Sequence, residues 1–347
     1  MSHPRIAFFG YHSIGARCLA ALLARGAQVC AVLTHQDSPE EPVWFESVAD
    51  LARRHNLLVL SPPSPNTPET LQFLRTLDPD FFISVYYRRL LSSEALALPR
   101  IAAINLHGSL LPKYRGRAPL NWAIIQGEKE TGVSLHHMVE EADAGDIIAQ
   151  TSFPIGPDDT AVAVYRRMTD AAEILLADTF PLIVAGTAPR QPQDHRAATV
   201  FGRRRPEDGQ IDWHWPAMQI HNLVRAVTHP YPGAFTTWKG NRLFIWQTWL
   251  GPPHLDPLPL RVPSGCGEGG ERGRTSKARW DITDAVTNSR VPATPGMILD
   301  VQGEGITVQT GVGCVLVRSL QVDGQAEVPG SAFLKQGGAR LGGILGQ

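Results

Sequence analysis

The sequence predicts an α/β protein: a mostly parallel sheet covered by helices in an N-terminal domain, with a smaller β-rich domain behind it. Two observations carry this expectation. Short apolar runs alternate with helical periodicity as far as Val184, and beyond Thr199 the chain reads as short strands and turns. At 347 residues and 43% hydrophobic composition, the chain is long enough to bury two cores.

Ile6 to Phe9 is a short apolar strand closed by Gly10, and helical periodicity then runs from Ile14 to Leu23, with Gly26 as a stop. Val29 to Thr34 is the next strand. A helix over Val48 to His55, a strand at Leu57 to Leu60, a helix at Glu69 to Leu77 and a strand at Phe81 to Tyr86 follow. Ile101 to Leu106 and Gly132 to Met138 add two further strands. Asp158-Asp159-Thr160 offers capping oxygens to a long helix reaching Val184, with Val164, Met168, Ala171, Leu175 and Phe180 as its packing stripe. Ala185-Gly186 ends that helix, and residues 187–198, with Pro189 and Pro192, form a polar linker.

These features place a first domain at 1–198 and a second at 199–347. In the second, Asn222 to Val227 is a short helix followed by Pro230 and Pro232. Ala234 to Trp238 and Leu243 to Trp249 form a hairpin around Lys239-Gly240-Asn241, and strands at Met297 to Val301, Gly305 to Gln309 and Cys314 to Leu320 complete a small barrel. The stretch 251–293 is rich in Pro, Gly, Ser and Arg and buries too little apolar surface to order itself, so a mobile loop is expected there.

Several function classes are disfavoured. The formal net charge is −1, and division at residue 200 gives 17 basic against 21 acidic residues, then 15 against 12. That balance advertises neither a nucleic-acid nor a membrane partner. Cys18, Cys30, Cys266 and Cys314 are far apart and lack metal-ligand spacing, so no metal is expected and a reducing cytoplasm fits. Met1-Ser2-His3-Pro4 does not resemble the start of a signal peptide, and no apolar run is long enough to span a bilayer. Gly10-Tyr11-His12-Ser13-Ile14-Gly15 is followed by no Gly-Lys-Ser/Thr and lacks Gly-x-Gly-x-x-Gly spacing. It reads as a tight strand-to-helix turn whose amides can meet an anionic substrate.

The chemistry concentrates between Ala103 and Asp146. Asn105 and His107 lie two apart at the end of an apolar strand, which points both side chains to one face. Asp143 follows within Ala142-Asp143-Ala144-Gly145-Asp146. An amide can donate to a developing oxyanion, an imidazole can move a proton, and a carboxylate can orient and charge the imidazole: together they suffice for acyl transfer to an amine. Ser109 is not a nucleophile, because Leu110-Leu111-Pro112 does not form a nucleophile elbow; a loop-shaping hydrogen bond is expected instead. His136 and His137 are adjacent, so a strand points them to opposite faces, and both read as structural.

The run Asn105-Leu106-His107-Gly108-Ser109-Leu110-Leu111-Pro112, with Tyr114-Arg115-Gly116, resembles the signature of formyltransferases that use 10-formyltetrahydrofolate. Tyr86-Tyr87-Arg88, Gly116-Arg117-Ala118-Pro119-Leu120-Asn121-Trp122, Thr131-Gly132-Val133, the stretch from Phe201 to Gly209 and that from His221 to Val227 carry the resemblance further. It covers residues 5 to 250 and fades beyond them. The resemblance implies a Rossmann-like N-terminal domain and an OB-like C-terminal barrel. It implies that Asn105 stabilises the transition state, His107 transfers the proton and Asp143 tunes His107. It also implies that folate lies against Arg89, Leu90, Leu91 and Arg117 and along Val139, Glu140, Glu141, Ala142 and Asp143, with no metal. The acceptor it implies is a nucleotide-linked amino sugar, UDP-4-amino-4-deoxy-L-arabinose, within lipid A modification and polymyxin resistance. Methionyl-tRNA is the rival acceptor, disfavoured by a second domain close to neutral. A non-catalytic folate-binding regulator is a third reading, against which stand the intact Asn105, His107 and Asp143. Oligomeric state stays open.

Overall fold

The computed structural model describes residues 4–37, 42–250, 293–335 and 339–347. The loop expected at 251–293 lies, but for residue 293, outside the described residues. Two compact units are present, one of residues 1–209 and 222–233, the other of residues 210–221 and 234–347.

The first unit opens with β1 (Arg5–Gly10), α1 (His12–Ala24), β2 (Gln28–Leu33), α2 (Val48–Arg54), β3 (Val59–Leu60), α3 (Pro68–Leu77), β4 (Phe81–Val85), α4 (Ser93–Leu96) and β5 (Ala102–His107). It continues through β6 (Arg115–Gly116), α5 (Pro119–Ile125), β7 (Glu130–His137), β8 (Ile147–Pro154), α6 (Ala161–Val184) and β9 (Val200–Phe201). Seven strands form one sheet in the order β3-β2-β1-β4-β5-β7-β8. The first five are parallel, as the alternation of strand and helix predicts. β7 and β8 run antiparallel to their neighbours. The link from β7 to β8 is too short for a crossover, which takes on the order of a dozen residues, so the chain can only reverse.

Capping sets the helix starts. Ser47 accepts from the Asp50 amide, Thr67 from Thr70, with Pro68 in the first turn, and Thr160 from Ala163. The buried stripe of α6 is Val164, Met168, Ala172, Leu176 and Phe180. Ala172 and Leu176 therefore stand where Ala171 and Leu175 were expected, because the stripe follows the i, i+4 row along the helix. The central strands are mostly apolar, with Ile6, Phe8, Phe9, Phe82 and Ile83 fully buried, as a sheet covered on both faces requires.

The second unit contains β10 (Ala234–Trp238), β11 (Asn241–Trp249), β12 (Ile298–Gln302), β13 (Gly305–Gln309), β14 (Cys314–Val322), β15 (Val328–Pro329) and α8 (Gly330–Lys335). Its strands form an antiparallel sheet ordered β10-β11-β14-β13-β12, with β15 beside β14. A helix α7 (Ala217–Val227) is longer than the expected Asn222–Val227. The boundary expected at 198/199 differs from the observed division. Val200 and Phe201 pair with Arg115 and Gly116, and Arg225 donates to the carbonyls of Gly156 and Asp159, which ties both segments to the first unit. No helix among the described residues is long and apolar enough to cross a membrane.

The turn from β1 into α1 is packed inside an aromatic cluster. His12 has a left-handed backbone (φ +67), stacks on Phe45 at 3.8 Å between centroids, and shares a hydrogen bond with the Tyr165 hydroxyl. Burial, and then the charge of Arg88, hold the His12 imidazole down at about 3. His35, stacked on Tyr87, is held at about 4 by burial and then by Arg88 and Arg89. Both folded values lie below the unfolded value of about 6.5, so below that pH the unfolded chain takes up protons that the native state refuses. Stability is therefore expected to fall as pH drops from about 6.5 towards 4, and His12→Phe with His35→Phe should flatten that dependence. Chemical denaturation across this range checks it; an unchanged slope in the double variant contradicts it.

Candidate active site

Asn105 and His107 sit at the carboxyl end of β5, the edge where open α/β sheets gather their ligands. Both point to the same face of the strand, as the spacing of two predicts. The antiparallel register of β5 and β7 sets His136 directly across from Asn105, and Ser134 across from His107. The β7–β8 loop then brings Asp143 back over this edge, with a left-handed backbone at φ +57.

The Asp143 carboxylate is the hub. Its Oδ1 lies 3.4 Å from His107 Nδ1, 3.5 Å from His136 Nε2, and accepts from Asn105 Nδ2 at 3.4 Å. Its Oδ2 accepts from the Gly116 amide at 2.9 Å. Burial alone disfavours the charge on Asp143, but the charge of His107, the hydrogen bond and charge of His136, and the Gly116 amide outweigh it. The carboxyl is consequently held well below the usual carboxylate range.

His107 is fixed from both sides. Its Nε2 faces the Tyr114 carbonyl at 2.8 Å. A carbonyl only accepts, so Nε2 carries the hydrogen, and Nδ1 then faces the carboxylate. The ring is 7% exposed and the Asp143 side chain 13%, while Asn105 is half-buried, so the group is largely desolvated.

Three residues outside the expected set belong to this constellation. His136 was expected to be structural; its Nδ1 donates to the His137 carbonyl at 2.8 Å, and its Nε2 lies 3.1 Å from Asn105 Nδ2 and 3.5 Å from Asp143 Oδ1. Arg115 is buried and donates to Gln193 Oε1 through Nε and Nη2, at 3.2 and 2.8 Å. Gln193 Nε2 in turn donates to the carbonyls of Asp143 and Gly145 at 2.8 and 2.7 Å. The local motif held no signal for Gln193, which lies in a stretch read as linker. Ser109 is buried, and its hydroxyl donates to the Lys113 carbonyl at 2.7 Å, the loop-shaping bond that was expected.

The residues expected along folate divide. Arg89 and Leu90 are exposed, whereas Leu91 is buried beside Phe82, Ala95 and Ala103 in the sheet's core. Arg117 is exposed and donates to the Arg88 carbonyl at 3.3 Å, joining its loop to the segment that carries Arg89. Val139, Glu140 and Glu141 are exposed, Glu141 pairing with Arg115 at 3.2 Å, and Ala142 is half-buried next to Asp143. Among the described residues, no group of three or more His, Cys, Asp or Glu side chains is arranged to hold a metal ion.

The chain's overall fold is similar to that of WlaRD, a sugar 3N-formyl transferase solved with dTDP and 5-N-formyl-THF. The TM-score is 0.63 at 17% identity, over 94% of this chain and 100% of that one. It is similar to an N-formyltransferase from Helicobacter canadensis, in complex with folinic acid and dTDP-3-aminofucose, with TM-score 0.63, 20% identity and coverage of 90% and 98%. It is also similar to HypX from Aquifex aeolicus (TM-score 0.59, 19% identity, 98% of this chain), of whose length the chain spans about half, 49%. At such identities the likeness is one of fold. The formyl transferase family model matches residues 4–180, more than half of the chain, and the model for the formyl transferase C-terminal domain matches 204–258 and 270–337. The protein therefore belongs to the formyl transferase family and is a formyltransferase.

Proposed function

We propose that the protein moves the formyl group of 10-formyltetrahydrofolate to the amine of a nucleotide-linked amino sugar, UDP-4-amino-4-deoxy-L-arabinose. The observation that carries this reading is the single carboxylate of Asp143 shared by Asn105 and His107. The folate supplies an activated formyl carbon, and the chain's own groups do the rest. As the sugar amine adds, the formyl oxygen gains negative charge, and one N–H of the Asn105 amide donates to it. A donor so placed is worth on the order of 3 kcal/mol in the transition state. His107 takes a proton from the attacking nitrogen and returns one to the departing N10. The C–N bond to the sugar forms, the bond to N10 breaks, and no proton is lost overall. Asp143 stays ionised, keeps the imidazole oriented and stabilises its charged form.

Arg89, Leu90, Leu91, Arg117 and the segment Val139 to Asp143 would line the folate. The sugar acceptor is supported by the likeness to structures that hold dTDP and dTDP-3-aminofucose. The choice of UDP-4-amino-4-deoxy-L-arabinose rests on the sequence resemblance, and with it a cytoplasmic place in lipid A modification. Incubation with 10-formyltetrahydrofolate and a panel of UDP- and dTDP-linked amino sugars tests both parts. A formyl mass gain on UDP-4-amino-4-deoxy-L-arabinose, and none on methionyl-tRNA, is expected. Gain on a dTDP-3-amino sugar alone overturns the sugar; gain on methionyl-tRNA alone overturns the acceptor class.

A further inference from the structure

The contacts that fix His107 and Asp143 do not end within the signature run. Tyr114, whose carbonyl receives the Nε2 hydrogen of His107, has its own amide held by Thr199 Oγ1 at 2.8 Å. Its ring stacks on Phe201, with centroids 5.1 Å apart and planes 14° from parallel. Tyr114 has φ +60, a conformation a non-glycine residue keeps only where its surroundings over-determine it. Gly116, whose amide binds Asp143, has φ +97, and a Cβ there would lie 2.3 Å from the Phe201 carbonyl oxygen. Arg115 donates its amide to the Thr199 carbonyl at 2.8 Å and Arg117 to the Phe201 carbonyl at 2.9 Å. The stack continues outward from Phe201 to Trp122 at 5.0 Å, with Arg204 over the indole at 4.8 Å. Thr199 and Phe201 thus hold both residues that hold the acid–base pair.

We propose that Thr199 and Phe201 are positioning residues for formyl transfer, acting through the Tyr114 carbonyl and the Gly116 amide to keep the His107 ring in register with the Asp143 carboxylate. This rests on His107 as the proton carrier. The groups facing the ring are the Asp143 carboxylate from the β7–β8 loop, the Tyr114 carbonyl from the loop after β5 and, across the carboxylate, His136 from β7. If Tyr114 swings away, the ring loses an acceptor that favours its charged form, and its titration midpoint falls.

Thr199→Val keeps the shape but leaves the Tyr114 amide unpaired, whereas Thr199→Ser keeps the hydroxyl. Full-length proteins are compared by ¹⁵N titration of the His107 imidazole without substrate and by the pH profile of kcat/KM. Thr199→Val is expected to lower the His107 midpoint and to reduce kcat on the order of tenfold, with KM for the formyl donor within roughly twofold. Thr199→Ser should restore both, and Phe201→Leu should move them as Thr199→Val does. An unmoved midpoint in a folded Thr199→Val, or no restoration by Thr199→Ser, overturns the proposal. If Thr199→Val does not fold, Phe201→Leu decides by the same two readings. A lowered midpoint with unchanged turnover supports the positioning and contradicts His107 as the proton carrier.

Discussion

Replacing Asp143 with Asn is expected to lower kcat/KM on the order of a thousandfold. Asn is nearly isosteric, so its amide oxygen can still accept from the Gly116 amide, and the loop should keep its course. What disappears is the negative charge that His107 Nδ1, His136 Nε2 and Asn105 Nδ2 share within 3.4 to 3.5 Å. An amide NH2 turned towards those groups can no longer stabilise the imidazolium, and the ring is free to leave its orientation. The same substitution has a second signature in stability. The folded carboxyl of Asp143 ionises below its unfolded value of about 3.9, so its contribution is fully present above about pH 4 and is lost as pH falls through the folded value. The Asn variant should lack that acid-sensitive contribution, so its stability should change less than the wild type's on acidification below about pH 4. Steady-state formyl transfer and acid-induced unfolding read the two effects separately.

Asn105→Ala is expected to reduce kcat by about a hundred- to a thousandfold, with little change in KM for either substrate. The amide nitrogen donates to Asp143 Oδ1 at 3.4 Å, so the carboxylate anchors one hydrogen and orients the amide before any substrate oxygen arrives. A donor needed only as charge develops affects the transition state and not the ground state, which places the loss in kcat. Measurement at saturating concentrations of both substrates distinguishes this from a binding defect. A rise in KM with kcat intact would assign Asn105 to ground-state recognition.

Much of this arrangement was legible along the chain. Asn105 and His107 announce themselves because two residues on one strand, two apart, must share a face. Most strands and helices of the first unit announce themselves too, since apolar period and capping residues are local properties. The start of α1 is an exception: it begins at His12, ahead of the apolar period, with no side-chain cap at Tyr11. β8 went unread because its Ile147–Pro154 run mixes Gln150, Thr151 and Ser152 with apolar residues, as suits a strand at the sheet's edge. His136 was set aside because its value depends on a register: only an antiparallel β7 lays it against Asn105. Gln193 lies in the stretch 187–198 that reads as linker, and Thr199 and Phe201 at the expected start of the second domain, between 50 and 94 positions from the side chains they help to fix. Nothing in local period or propensity reports a contact of that span.

Whether His107 carries the proton is decided most directly in His107→Ala, by measuring folate binding calorimetrically and formyl transfer by mass on the same preparation. Binding of the folate within roughly threefold of wild type, with transfer reduced more than about a hundredfold, is the predicted result. Transfer at the wild-type rate, or folate binding lost along with turnover, would contradict it.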